Sequence, residues 1–431
     1  MHSRLLPRPG RLWAGVRPGL AAVGVATLVS AACTWLLQAA AGRLLSPRGF
    51  VEFMAVWGLF FAMLGLLQGL QQETTRCVSA ARSRSPVMAA GRPVTGAVAI
   101  GLVGVALLLV ASALGTADLF GGGLGPVELP LATAIMVYAV FNVVGGGLAG
   151  RSQWSAYARL ILLEGLLRAV LVLVVLLRSQ GSVAAVGWAL AGGGLAAAVV
   201  VAPSRLRPAL TGFGDASLPQ FLAGSVQAMV ASGCSALCIA GFPFLLAVTA
   251  RGTLPGSAAA LIAAVVATRA PLLITLNAYQ GAAITRFVAE AESALRHLVR
   301  LGVRVALLVA LGSVLSFFIG PWLLRALYGP GFVADGTLFA CLVLSAGLMS
   351  LLMLTGSASV AASLHGVFAA GWVVAAAGTG LCLSLGLPLD VRATLALLVG
   401  PFSGLLVHAF GLFRWSRGSR GHPPVADVTQ P

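Results

Sequence analysis

Twelve apolar stretches of nearly span length recur between Leu20 and Phe413, and they leave this chain few ways to fold. A helix needs about 20 apolar residues to cross a bilayer core, and within lipid its backbone must satisfy its own hydrogen bonds. The stretches are Leu20–Ala40, Phe50–Leu70, Val94–Leu114, Leu129–Gly150, Ala156–Leu177, Val183–Val201, Phe221–Val248, Ala258–Tyr279, Val303–Leu323, Thr337–Leu354, Val367–Leu387 and Ala393–Phe413. Phe221–Val248 is long enough to allow tilt or an interfacial turn. Only 9% of the 431 residues are charged and 59% are apolar, whereas soluble domains carry about a quarter charged residues. The expected fold class is an all-α polytopic membrane protein of about twelve transmembrane helices.

The net charge of +16 would suit nucleic acid if the basic residues formed one patch. They do not, so no nucleic-acid partner is expected. All of them are arginine, and they recur between apolar runs; with the many alanines and glycines, this points to a GC-rich bacterial genome. Alternate loops are arginine-rich: Arg76, Arg82, Arg84 and Arg92; Arg151 and Arg159; Arg205 and Arg207; Arg286, Arg296, Arg300 and Arg304. The intervening loops hold mostly one arginine each. The positive-inside rule then places both termini in the cytoplasm of a multi-pass protein of the bacterial cell membrane. Arg4, Arg8, Arg11 and Arg17 precede the first run as they would in a signal peptide, but that run is too long, and a retained first span is expected.

A repeat divides the chain evenly. The segment Thr75-Arg76-Cys77-Val78-Ser79-Ala80-Ala81-Arg82-Ser83 recurs as Thr285-Arg286-Phe287-Val288-Ala289-Glu290-Ala291-Glu292-Ser293, each copy following the second span of a six-span half. Six spans return the chain to the same side, so the halves form a parallel repeat. The expected organisation is an N-lobe over residues 1–202, a cytoplasmic linker over 203–220, a C-lobe over 221–413 and a basic tail over 414–431.

Two arginines fall where charge is expensive. Arg168 in the fifth span and Arg269 in the eighth each lie about a dozen residues deep, roughly 16–18 Å from the start of the span. A midplane arginine costs about 2.5–3.5 kcal/mol on insertion scales and needs a partner or water. Glu164 precedes Arg168 by four residues and shares its helix face, so the two can neutralise each other or serve a site together. Arg159 points elsewhere and is expected to snorkel. Arg269 has no acid in its own span, and Pro271 frees a backbone carbonyl nearby. Arg269 is expected to line a central cavity, or else to take Glu164 or Glu73 as a structural counter-ion. Asn277 and Gln280 add polar groups beyond it. The second span ends in a dense polar run with Gln68, Gln72, Glu73 and Arg76, read either as a cavity entrance or as a helix end fraying into the interface. His408 and Gln227 are expected to bond within the bundle.

Catalytic chemistry is not indicated. There is no Walker A, no H-E-x-x-H and no G-x-S-x-G with a plausible triad. Cys234 and Cys238 share a face without accompanying His or carboxylate, so buried thiols are expected there and no metal or other cofactor.

The chain resembles the multidrug/oligosaccharidyl-lipid/polysaccharide (MOP) exporter superfamily, and within it the Wzx-like polysaccharide flippases. The resemblance rests on Gly42-Arg43-Leu44-Leu45-Ser46-Pro47-Arg48-Gly49-Phe50 between the first two spans and on Gln72-Glu73-Thr74-Thr75-Arg76. In the second half it rests on Arg269-Ala270-Pro271, Gly320-Pro321-Trp322 and Leu327-Tyr328-Gly329-Pro330-Gly331-Phe332. It implies two six-helix lobes in a V around a central cavity, and a lipid-linked glycan with an anionic diphosphate as cargo, drawn from membrane lipid. Arg269, Arg168, Glu164, Gln68, Gln72, Glu73, Arg76, Asn277, Gln280 and Arg286 are the candidate cargo-binding residues. Glycosyltransferases and a polymerase of the same pathway would be partners of a monomeric carrier. The first span carries no arginine, unlike relatives that flip lipid II, which points to another glycan. An ion-coupled small-molecule antiporter of the same fold and a membrane glycan polymerase or glycosyltransferase are the alternatives.

Overall fold

The computed structural model describes residues 9–83, 92–113, 125–178, 182–211, 215–250, 254–269 and 294–419. Every regular element among them is helical. In chain order these are α1 (Pro9–Leu44), α2 (Pro47–Ser83), α3 (Pro93–Ala113), α4 (Gly125–Gly150), α5 (Trp154–Arg178), α6 (Val183–Gly193), α7 (Ala196–Val201), a 3-10 turn (Ser204–Leu206), α8 (Pro208–Thr211), α9 (Leu218–Ile239) and α10 (Phe242–Thr249). There follow α11 (Ala258–Arg269), α12 (Ala294–Tyr328), α13 (Gly336–Ala361), α14 (His365–Leu383) and α15 (Leu389–Ser419). Among the described residues, eleven helical segments are long and apolar enough to cross a membrane, α6 and α7 counting together as Val183–Val201; α11 is a shorter apolar helix. The expected eighth span, Ala258–Tyr279, is described as far as Arg269, and the second copy of the repeat lies outside the described residues.

Local chemistry explains where helices begin and break. Pro93, Pro208 and Pro219 sit in first turns, where the missing N–H costs nothing. The backbone N–H of Ser217 donates to Gln220 Oε1 at 3.0 Å, fixing the start of α9, and Asp335 accepts from the Leu338 N–H at 2.7 Å to cap α13. The long seventh stretch does turn: Gly241 N–H reaches back to Ala236 O at 2.9 Å, and Pro243 cannot extend the ladder, so α9 ends and α10 starts afresh. At the end of α2 the helix does not fray. It continues through the polar run to Ser83.

The chain forms two compact units, Met1–Val266 with Leu323–Val333, and Ala267–Trp322 with Ala334–Pro431. In the first, α2 is the central post. Its glycines form a seam against α9 and α10: Gly58 faces the Phe244 backbone, Gly65 faces Ala236 and Gly69 faces the Met229 backbone, while Gly224 of α9 receives the Glu73 carboxyl. On another side, Gly145, Gly146 and Gly150 of α4 admit Gln71, Thr74 and Val78. Small residues suit this setting, because lipid offers no hydrophobic drive and helices gain instead from close approach. The second unit repeats the device at Gly371, Gly400 and Gly404 between α14 and α15. His408 is fully buried there, 3.1 Å from Thr355 Oγ1 and 3.2 Å from the Phe368 carbonyl. Gln227, expected to bond within the bundle, is exposed on α9.

Candidate functional site

Arg168 lies midway along α5 and is 3% exposed. Its Nε donates to Glu164 Oε1 at 2.8 Å, Nη2 to Glu164 Oε2 at 3.3 Å and Nη1 to Thr34 Oγ1 of α1 at 3.2 Å. The Tyr138 hydroxyl of α4 donates to Glu164 Oε1 at 2.8 Å and also faces the Leu190 carbonyl of α6 at 3.3 Å. The guanidinium carbon is 4.9 Å from the Phe61 ring centre and 5.9 Å from that of Trp57, both on α2. At Gly193 of α6, a Cβ would meet Tyr138 Oη at 2.8 Å and Arg168 Cβ at 3.0 Å, so a larger residue there would push into the network. Five helices thus close around one ion pair. The forked guanidinium matches the carboxylate, and its flat face meets aromatic rings that supply negative potential.

A second set of charges lies toward the end of α2. From Phe61 to Glu73 the helix rises about 18 Å, which puts these charges well along the bundle from the first pair. Arg76 Nε and Nη2 bond Glu73 Oε2 and Oε1 at 2.9 and 2.7 Å. The Cys77 thiol points at Glu73 Oε1 at 3.3 Å, and Arg76 Nη1 is 3.8 Å from Asp215 Oδ2 in the segment before α9. The Glu73 side chain is 9% exposed but that of Arg76 is 55% exposed. Gln72 Nε2 donates to Ser232 Oγ of α9 at 3.1 Å, and Gln71 Nε2 to Tyr157 Oη of α5 at 2.7 Å. The polar run is therefore a row of helix-to-helix bonds with one guanidinium left partly open.

The remaining candidates are dispersed. Gln68 is exposed on α2. Arg269 is 4% exposed, at the last described residue of α11. Asn277, Gln280 and Arg286 lie outside the described residues. Arg159, exposed and bonded to the Ser155 carbonyl at 3.3 Å, is turned away from Arg168 as its spacing requires. Two segments that carried the sequence resemblance meet within the first unit. Arg43 donates to the Leu327 carbonyl at 2.7 Å and to the Ala326 carbonyl. Phe50 packs edge-on to Tyr328 and Phe332, with ring centres at 5.8 and 5.3 Å. A cation at the end of α12 also complements that helix's dipole.

No family model matches the sequence. The uncharacterized protein Rv1510 of Mycobacterium tuberculosis is 34% identical over 408 residues, covering 92% of each chain. Mb3654 of Mycobacterium bovis, also uncharacterized, is 33% identical over 401 residues, again 92% of each. The chain belongs to their family. Among solved structures, the lipid II flippase MurJ in an inward closed conformation superposes with a TM-score of 0.68 at 12% identity, covering 91% of this chain and 87% of MurJ. An inward-facing multidrug resistance MATE family transporter of the MOP superfamily gives 0.61 at 14% identity, covering 93% and 100%. A MOP superfamily transporter from Pyrococcus furiosus, described as having a binding pocket of reverse polarity, gives 0.63 at 16%, covering 93% and 96%. The chain therefore has the fold of MOP superfamily transporters.

Within that fold, sequence reading missed several partners. Tyr138 and Thr34 complete the Arg168 network from helices far away in sequence, and Asp215 reaches Arg76 from what looked like a linker. One signal was available. Gly65 and Gly69 make a small-x-x-x-small pair where the polar run begins, which marks a face of α2 for another helix.

Proposed function

We propose that the protein is a flippase that carries a polyprenyl-diphosphate-linked oligosaccharide across the cytoplasmic membrane by alternating access, for assembly of a cell-surface polysaccharide. One observation carries this reading beyond the shared fold. Among the described residues, the two buried glutamates, Glu73 and Glu164, each have both carboxylate oxygens clasped by an arginine. A carboxylate that couples transport to a proton must release and regain it, and these oxygens are already committed to guanidinium donors. A diphosphate cargo instead calls for cationic hydrogen-bond donors, which arginine supplies in forked geometry. Arg269, buried in α11, is the proposed cargo-facing group of the C-lobe, and Arg76 the one nearest the cytoplasmic mouth. The lobes over 1–202 and 221–413, with both termini cytoplasmic, are part of the same proposal.

A second reading, an ion-coupled small-molecule antiporter, draws on the buried Glu164–Tyr138 contact and on the likeness to MATE transporters. Proteoliposomes separate the two. Transbilayer movement of a fluorescent polyprenyl-diphosphate sugar is expected with the wild type. The movement falls to the protein-free rate with Arg269→Ala, while insertion and elution on size exclusion are unchanged. Drug accumulation driven by a pH gradient, with no movement of the diphosphate lipid, overturns the flippase reading. Wild-type movement in Arg269→Ala removes that residue from the site.

A further inference from the structure

The second unit is strongly polarised along its helices. Leu298 of α12, Leu354 and Ala358 of α13 and Leu412 of α15 pack into one cluster, which puts the start of α12 and the end of α15 at the same end. Arg300 and Arg304 are exposed on α12, at i and i+4 on one face, with Arg296 one turn earlier in the helix. Arg414 and Arg417 are exposed on α15. The unit's acids among the described residues, Asp335 and Asp390, open α13 and α15 at the other end. They lie about 33–35 Å away along those helices, at 1.5 Å per residue. Glu290 and Glu292 before α12 and Asp427 after α15 lie outside the described residues, so even by sequence the five arginines outnumber these three acids.

Helix length places these arginines relative to lipid. The apolar segment of α12, Leu298–Tyr328, has 31 residues, and that of α15, Leu389–Arg417, has 29. They extend about 45 Å, some 15 Å more than the hydrocarbon core, so both helices overhang into the headgroup layer. Beside the arginines of α12, Val299, Val303 and Leu307, at four-residue steps, are 58%, 53% and 66% exposed, an apolar surface for acyl chains. On α15, Arg417 lies 4.3 Å from the Phe413 ring centre and Arg414 5.8 Å from that of Phe410. Trp415 lies between these two arginines in sequence, and tryptophan is enriched at the membrane interface, which puts the guanidiniums at the level of lipid phosphates.

We infer that this end of the second unit is a binding rim for anionic phospholipid headgroups, formed by the overhanging ends of α12 and α15. The guanidiniums take the phosphates and the exposed valines and leucine take the first acyl methylenes. The rim shares no residue with the Arg168 network and does not include Arg269, and it does not depend on what the protein carries.

The test uses the full chain, purified in neutral detergent and given phosphatidylglycerol, phosphatidylcholine or inorganic phosphate. Thermal unfolding and native mass spectrometry of retained lipid are the readouts. Phosphatidylglycerol is expected to raise the midpoint and to be retained over phosphatidylcholine. An arginine near a charged surface changes lipid affinity by about fivefold, so removing two, as in R300Q/R304Q or R414Q/R417Q, should lower that preference by roughly 25-fold. R300K/R304K should keep it, which distinguishes lost charge from lost folding. The pair R325Q/R392Q, at the other ends of α12 and α15, should leave it unchanged. Undiminished preference in both glutamine pairs overturns the proposal. So does an equal loss in R325Q/R392Q, or an equal upshift from inorganic phosphate alone.

Discussion

Glu164–Arg168 and Glu73–Arg76 are the same chemical pair on neighbouring turns of a helix, yet they differ in what surrounds the cation. Arg168 is sealed: its charge is met by carboxylate and hydroxyl, and its flat face by Phe61 and Trp57. Arg76 shares a carboxylate just as closely, but more than half of its side chain remains accessible. A buried pair gains strongly from Coulomb attraction and loses about as much to desolvation, so its main effect is to specify one arrangement of the helices around it. A half-open pair holds its acid in place and keeps donor capacity for another anion. The first pair is enclosed on every side, whereas the second leaves a guanidinium accessible, and it is this one that we propose meets the cargo.

The most damaging way to probe this contrast is to orphan the sealed acid. Arg168→Ala is expected to destabilise the folded protein by about 3–5 kcal/mol, read from thermal unfolding in detergent, because Glu164 is left buried without its cation. Replacing both, as Glu164→Leu with Arg168→Leu, should recover most of that loss and leave transport measurable. If the double variant is stable but cannot transport, the pair has a role in the transport cycle and the contrast collapses.

A smaller effect comes from Tyr138→Phe, which removes one bond to a charged acceptor and is expected to cost about 1.5–3 kcal/mol. Its transport per folded molecule should equal the wild type's. The smallest stability change, about 1 kcal/mol, belongs to Arg76→Gln: Glu73 is as buried as Glu164, but the glutamine amide can still donate to it and water reaches the open side of the pair. Here transport of a diphosphate lipid should fall several-fold although the melting curve barely moves. A variant that melts early and transports normally would reverse the assignment of the two pairs.

These features were unevenly legible in the sequence. Hydropathy exposed the spans because bilayer thickness fixes their length, and the four-residue step by itself made Glu164 and Arg168 partners. Tyr138 was hidden because a single hydroxyl in an apolar run has no periodic signature; only packing of α4 on α5 turns it toward Glu164. The length of α2 was hidden for the opposite reason. Its polar run Gln71–Arg76 reads as the end of a span, but the helix persists because Tyr157, Ser232 and Asp215 satisfy that run from outside. The excess length of Phe221–Val248 allowed either tilt or a turn, and Gly241 with Pro243 make it a turn.

The glycine seam on α2 also has a consequence for the order of events during synthesis. Helix α2 is made and inserted more than a hundred residues before α9, its partner across Gly58, Gly65 and Gly69. At about 5–20 residues per second, the ribosome needs on the order of ten seconds to supply α9. For that interval the groove is lined by lipid, and Glu73 lacks the Gly224 pocket that later receives it. A nascent chain stalled before Leu218 therefore presents an unfilled helix face that invites membrane quality control, and truncations there should be degraded faster than truncations after Ile239.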